Sequence, residues 1–343
     1  MSWFPEDLKG SEISNIPLAS RHLINSMNAL RGYYQINSDD VTFMIPYGTD
    51  SQVRFENLCD VVGWIFVNTT AKIHIYFSES RKGMSSFSWI NLDSPENLLQ
   101  VFYNNMVIHR FHQKELYNDF DFQSEFENFK NRVKYTLYVR KDDEPFHRMR
   151  YLNEMLVQSQ TPIVVNHDAD VFISRHAFIS ALNYLRNSNT DCVYPYGFGK
   201  YQLQVHPRQI SEIVEEAVVT GDTSKLLKNA GTSSMIWDAK YGHTIFYKKD
   251  SYIRMFGENE EFVSWAPEDI ERYVRALKFG LNIARIPQFV YHLEHPRGND
   301  SSNTNPMFIK NEMLWDKLQK MNKEELMSYY KNCDYVKRYG WVS

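Results

Sequence analysis

Asp168 and Asp170 stand one residue apart at the end of an apolar run, in Thr161-Pro-Ile-Val-Val-Asn-His-Asp-Ala-Asp-Val-Phe-Ile-Ser174. Residues i and i+2 of an extended segment point the same way, so both carboxylates can converge on one divalent cation and the polyphosphate it carries. Taken alone, Asp-x-Asp more often marks a solvated turn or a helix cap. Glu268 and Asp269 follow Pro267 where a helix is predicted to begin; acids there suit the helix dipole, and a carboxylate held there can also serve as a general base. His292 and His295, three residues apart, are ordinary core or surface imidazoles unless carboxylates meet them. The Asp pair upstream and the Glu-Asp pair between favour a metal.

The elements that must position these groups follow from periodicity. Ile163–Val165, β-branched and without polar interruption, predicts a parallel strand buried on both faces, with its ligand beyond the carboxyl end. Strand 41–45, a turn at Pro46-Tyr47-Gly48, a helix over 52–62 and strand 71–77 open a βαβ unit. A helix over 95–114, strand 133–139 and a helix over 146–156 deliver the chain to strand 163–165. A helix over 175–186 and strand 192–195 follow, then a helical insertion over 205–232 with a loop at Asn229–Thr232. Strand 244–247, helices over 250–256 and 267–280, and strands 282–286 and 289–291 complete the core. Residues 1–40 read as an N-terminal arm, 41–305 as one large α/β domain, and 310–339, within a cap over 306–343, as amphipathic helix.

With 43% hydrophobic and 23% charged residues, a chain of 343 residues can bury a sizeable core. A net charge of −4 leaves no global basic excess to draw it onto nucleic acid or an anionic membrane. Cys59, Cys192 and Cys333 have no CxxC spacing, which argues against a disulfide framework or a structural zinc site. The chain shows no basic leader with an apolar stretch and no run of about 20 apolar residues. The expectation is therefore a cytoplasmic protein.

Together these pieces resemble the GT-A glycosyltransferases of the β-1,4-galactosyltransferase type, including the related galactosyltransferase C-terminal region, over about residues 40–300. Pro46 and Tyr47 fall where that family borders the nucleotide, and Arg54 lies on the helix that follows. Phe146-His-Arg148 is similar to its Phe-Asn-Arg segment, whose Phe and Arg contact the uracil. Asp168-Ala-Asp170 takes the place of its Asp-Val-Asp, and Trp265-Ala-Pro-Glu-Asp269 that of Gly-Trp-Gly-Gly-Glu-Asp. His292-Leu-Glu-His295 matches the place where a Met and a His complete its metal site. Ser264, Ala266 and Pro267 replace glycines, which leaves donor sugar and acceptor open.

The resemblance implies a GT-A type α/β fold, Rossmann-like, with the nucleotide half at about 41–170 and the acceptor half at about 171–305. Given the lack of a leader or apolar run, it also implies a protein of a bacterium, or of a virus in its host. It implies a UDP-sugar donor and a cation on Asp170, His292 and His295. Two imidazoles favour Mn²⁺ over Mg²⁺, and the cation neutralises charge on the leaving diphosphate. Asp269 becomes the base, Glu268 the holder of the acceptor, Asp168 a contact to ribose or donor sugar, and Trp265 a platform for a sugar face. Attack opposite the leaving group inverts the anomeric carbon, with a hexose or a pentose transferred. A saccharide acceptor stands ahead of hydroxymethylcytosine in DNA, a phage-type reaction that needs a basic groove from Lys134, Arg140, Lys141, Arg148 and Arg150. Outside this class stand a metal-dependent hydrolase, which leaves Phe146-His-Arg148 unexplained, and a non-catalytic carbohydrate-binding protein.

Overall fold

The structure is a computed structural model that describes residues 35–48, 51–80, 97–110, 122–141, 144–205, 217–218, 221–228, 233–235, 240–296 and 304–342. The expected N-terminal arm up to residue 34, most of the 205–232 insertion and the Asn229–Thr232 loop lie outside these residues. Strands are β1 (Val41–Gly48), β2 (Lys72–Ser80), β3 (Val133–Arg140), β4 (Ile163–His167), β5 (Val171–Ile173), β6 (Cys192–Tyr194), β7 (Gln202–Val205), β8 (Ser233–Met235), β9 (Thr244–Lys248), β10 (Ile283–Arg285) and β11 (Val290–Leu293). Helices are α1 (Gln52–Asn68), α2 (Leu98–Arg110), α3 (Phe122–Arg132), α4 (Arg148–Gln158), α5 (Arg175–Asn187), α6 (Ser224–Lys228), α7 (Lys249–Arg254), α8 (Glu268–Lys278), α9 (Phe308–Leu318), α10 (Lys323–Asn332) and α11 (Asp334–Arg338).

The fold is α/β, with a seven-stranded mixed sheet in the order β10-β6-β9-β4-β1-β2-β3 and helices packed against it. β1, β2, β3 and β4 run parallel, and β1 and β4 are buried along their whole length, as their β-branched and aromatic content requires. β9 runs antiparallel to both β4 and β6, so its first residues arrive at the edge where the parallel strands end. That edge therefore gathers the residues after β4, those before β9 and those at the start of α4.

A second sheet, β5-β11-β7-β8, was not expected from the sequence. Its β5 has three residues, too short for a period to register. The predicted turn at Pro46-Tyr47 is also corrected. β1 continues through it, pairing Pro46 with Tyr76 and Tyr47 with Phe77 of β2. Pro46 lies past the last pairing with β4, Met44 with Asn166, where β1 has a neighbour on one side only and a strand tolerates proline.

The predicted C-terminal helix is three helices. Asn322 and Glu325 form a reciprocal capping box that starts α10, and the next helix begins after Cys333. They cover a second apolar cluster containing Met149, Phe256 and Phe262. Among the described residues no helix is long and apolar enough to cross a membrane.

Candidate functional site

β4 ends at His167, and the chain turns at Ala169-Asp170 before entering β5 in the other sheet. The turn breaks the alternation expected of an extended Asp-Ala-Asp, so the two carboxylates part. Asp168 Oδ1 accepts from Arg148 Nη2 at 2.7 Å, while Asp170 faces His295 Nε2 at 3.0 Å and His292 Nε2 at 3.6 Å. The expectation that both carboxylates meet one cation is corrected to Asp170 alone.

The second sheet brings the imidazoles there: β11 pairs antiparallel with β5, setting His292 opposite Val171, and Leu293 N donates to Asp170 O at 2.7 Å. Asn57 of α1 steadies the end of β11 through Leu293 O at 3.4 Å. The ligand atoms of Asp170, His292 and His295 lie within 4.8 Å of one another. Donors about 2.0–2.2 Å from a common ion stand roughly 3–4 Å apart, so these residues fit a divalent cation after a small closure, and their one oxygen and two nitrogens suit Mn²⁺. Burial opposes a charged Asp170, but His292, His295 and Arg54 together hold its carboxyl well below the usual carboxylate range. Positive charge belongs at this point in the protein.

The carboxylates of α8 meet the other side of the same edge. Arg148 Nη2 also donates to Asn166 Oδ1 at 2.9 Å, and its Nη1 stands 3.9 Å from Asp269 Oδ1. Arg272, fully buried, donates to the same Asp269 Oδ1 at 2.6 Å and holds both oxygens of buried Glu258 at 3.0 Å. Glu258 Oε1 also accepts from Asn166 Nδ2 at 3.1 Å and from the Tyr252 hydroxyl. A continuous polar network thus joins Asp168 at the end of β4 to Asp269 at the start of α8.

Gly242 lets Asp269 approach: a Cβ there would lie 2.7 Å from its Oδ2. Glu268 is buried, and that burial first, with the Asp269 carboxylate second, pushes its pKa up to about 8. Both effects favour the protonated carboxyl, which can donate a hydrogen bond.

Trp265 is half-buried and stacks on Phe308 of α9, 5.9 Å away at 18°. Its carbonyl accepts from Asn305 and Asn311. Ser264 and Ala266 take φ of 67° and 54°, in the left-handed region that favours glycine.

Of the predicted residues, Asp170 with His292, His295 and Arg54 forms one group, and Arg148 with Asp168, Glu268 and Asp269 a second; His243 feels the charges of both. Phe146 lies beside the end of β1, where a Cβ on Gly48 would touch its ring at 3.2 Å. Tyr47 does not join them. It is fully buried and edge-on to Phe77, so its ring is core. Of the five residues that a basic groove would draw on, Arg140 is buried, Arg148 donates to Asp168 and Arg150 pairs with Glu154, while Lys134, which donates to Gln158, and Lys141 are exposed. Asn166, His243, Glu258 and Arg272 were not singled out from the sequence; Asn166 and Arg272 both meet Glu258, which lies far from Asn166 along the chain.

No protein-family description matches the chain, and no curated protein matches it. Solved structures do. The chain is similar to the catalytic domain of Drosophila β1,4-galactosyltransferase 7 in complex with xylobiose, at 14% identity over 84% of this chain and 83% of that one, with a TM-score of 0.36. It is similar to GalNAc-T7 with UDP, GalNAc and Mn²⁺, at 10% identity over 87% of this chain and 55% of that one, with a TM-score of 0.47. A third is the mannosyltransferase PcManGT from Pyrobaculum calidifontis in complex with GDP-Man and Mn²⁺, at 12% identity over 93% and 81%, with a TM-score of 0.41. The likeness to these glycosyltransferases is one of fold alone, and what the chain acts on has to be read from its own site.

Proposed function

We propose that the protein is a metal-dependent inverting glycosyltransferase that moves a sugar from a nucleotide-sugar, a UDP-sugar by resemblance, to a saccharide hydroxyl. One observation carries the reading: Asp170, which forms a ligand set with His292 and His295, lies two residues along the chain from Asp168, and Asp168 is linked through Arg148 to Asp269, which Arg272 also holds. Asp170, His292 and His295 would hold Mn²⁺ or Mg²⁺, which supplies a Lewis acid to the leaving diphosphate. Arg148 and Arg54 add fixed positive charge beside it.

Asp269 takes the acceptor proton. Arg272 occupies its Oδ1, so Oδ2 receives the proton as the acceptor oxygen bonds the anomeric carbon. The bond from that carbon to the phosphate oxygen breaks, and its electron pair leaves with the nucleoside diphosphate. Protonated Glu268 donates a hydrogen bond that holds the acceptor. A saccharide acceptor is favoured because the arginines that a DNA groove needs are buried or paired among the described residues.

Two outcomes follow from this arrangement. Isothermal titration should give one divalent-cation site, preferring Mn²⁺, and Asp170→Asn or His295→Ala should weaken it by more than the ~10–100-fold typical of lost supporting contacts. Unchanged Mn²⁺ affinity in both variants would remove the metal site and the proposal with it. The Glu268 proton is present below about 8 and lost above it. Acceptor KM should therefore rise by roughly tenfold per pH unit above that point, while Glu268→Gln, which keeps an N–H donor, flattens the profile.

A further inference from the structure

Nε2 of His243 is buried and has no hydrogen-bond partner among the described residues. Buried polar atoms are nearly always satisfied, and one that is not calls for a reason. The residue is also held at φ 65°, in the left-handed region that histidine adopts at a cost. Strain of this kind persists where function requires a side chain at that point.

The fold explains the position. His243 immediately precedes β9, whose antiparallel course delivers it to the edge where the parallel strands end, and its carbonyl accepts from Asp168 N at 2.9 Å. Its ring lies 5.9 Å from that of His292, at the metal set. The preceding residue, Gly242, is the one that faces Asp269 Oδ2. His243 thus stands between the groups that would hold the diphosphate and the group that would deprotonate the acceptor. In a transfer reaction the sugar in transit occupies that interval.

We infer that His243 determines donor specificity, its Nε2 forming a hydrogen bond with a hydroxyl of the sugar being transferred. The inference rests on the glycosyltransferase reading above. A neutral imidazole presents an N–H in one tautomer and a bare nitrogen in the other, and a sugar hydroxyl can answer either. A site built to bond a hydroxyl rejects an analogue that lacks it, because the buried partner is then left unpaired.

The test uses two variants of the full chain, His243→Gly, which relieves the left-handed backbone, and His243→Asn, which tolerates it and keeps a donor and an acceptor. The probes are the nucleotide-sugar that the wild type cleaves fastest with Mn²⁺, its singly deoxygenated analogues and the nucleoside diphosphate alone. The Gly variant should melt at or above the wild-type temperature yet lose about 10–100-fold in kcat/KM for the parent sugar. The one deoxy analogue that the wild type rejects should become equivalent to the parent, Asn should restore part of the loss, and nucleoside diphosphate affinity should stay within about twofold. Discrimination retained against every deoxy analogue would overturn the inference and leave the glycosyltransferase standing. Equal losses on the nucleotide-sugar and the nucleoside diphosphate would assign Nε2 to phosphate and overturn it too. A wild type that neither binds nor cleaves any nucleotide-sugar with Mn²⁺ would take down the underlying reading itself.

Discussion

Asp269→Asn is expected to lower sugar transfer by about 10²–10⁴-fold, the range for removing a general base, while Mn²⁺ and nucleotide binding stay at wild-type levels. The substitution is nearly isosteric. Its amide oxygen can still accept from Arg272 Nη2, now 2.6 Å from Oδ1, so α8 keeps its anchor and the polar network stays connected. What is lost is the second oxygen: an amide NH₂ beside Gly242 cannot take a proton from the acceptor. Single-turnover measurements that separate binding from chemistry should place the whole loss in the chemical step. A comparable loss in nucleotide affinity would instead make Asp269 a donor-binding group.

The second large effect is on stability. Arg272→Met should destabilise the fold by about 3–5 kcal/mol, because it leaves Glu258 as a buried carboxylate without its cation. Both side chains are almost completely buried, at 0% and 1% exposure, so solvent cannot take over the lost partner. Asn166 and the Tyr252 hydroxyl still donate to Glu258, which moderates the loss without replacing a charge. Neutralising the orphaned group in Arg272→Met/Glu258→Gln should recover part of the stability, as read by the urea midpoint. Equal midpoints for the single and double variants would show that the pair contributes packing rather than charge compensation. Activity should fall in both, since Asp269 loses its orienting partner.

The chemistry-bearing residues were more legible in the sequence than the architecture that assembles them. The apolar run ending in Asp168-Ala-Asp170 marks a buried parallel strand and its carboxyl edge, and that is where β4 ends. The acids after Pro267 mark the start of α8, with Pro267 at the N-cap. The route by which His292 reaches Asp170 was not legible, because it depends on the register of β11 against a three-residue strand, and no period can show in three residues. The divergence of Asp168 from Asp170 was hidden for a related reason: a tight turn at the junction of two sheets reads, residue by residue, like extended chain. Arg272 looked like one more charge on an amphipathic helix. Its burial is decided by Glu258, far away along the loop, and a lone charged residue gives no local sign of such a partner. The same holds for Tyr47, whose aromatic ring suits a nucleotide wall and a core equally until the extension of β1 decides for the core.

The most direct measurement is nucleotide release from a panel of UDP- and GDP-sugars with Mn²⁺, with and without saccharide acceptors and hydroxymethylcytosine DNA, in the wild type and Asp269→Asn. One nucleotide-sugar should be cleaved only with the metal, a saccharide and not the DNA should accelerate release, and Asp269→Asn should abolish the acceleration. Release that needs no metal, or none from any donor under any of these conditions, would contradict the proposed function.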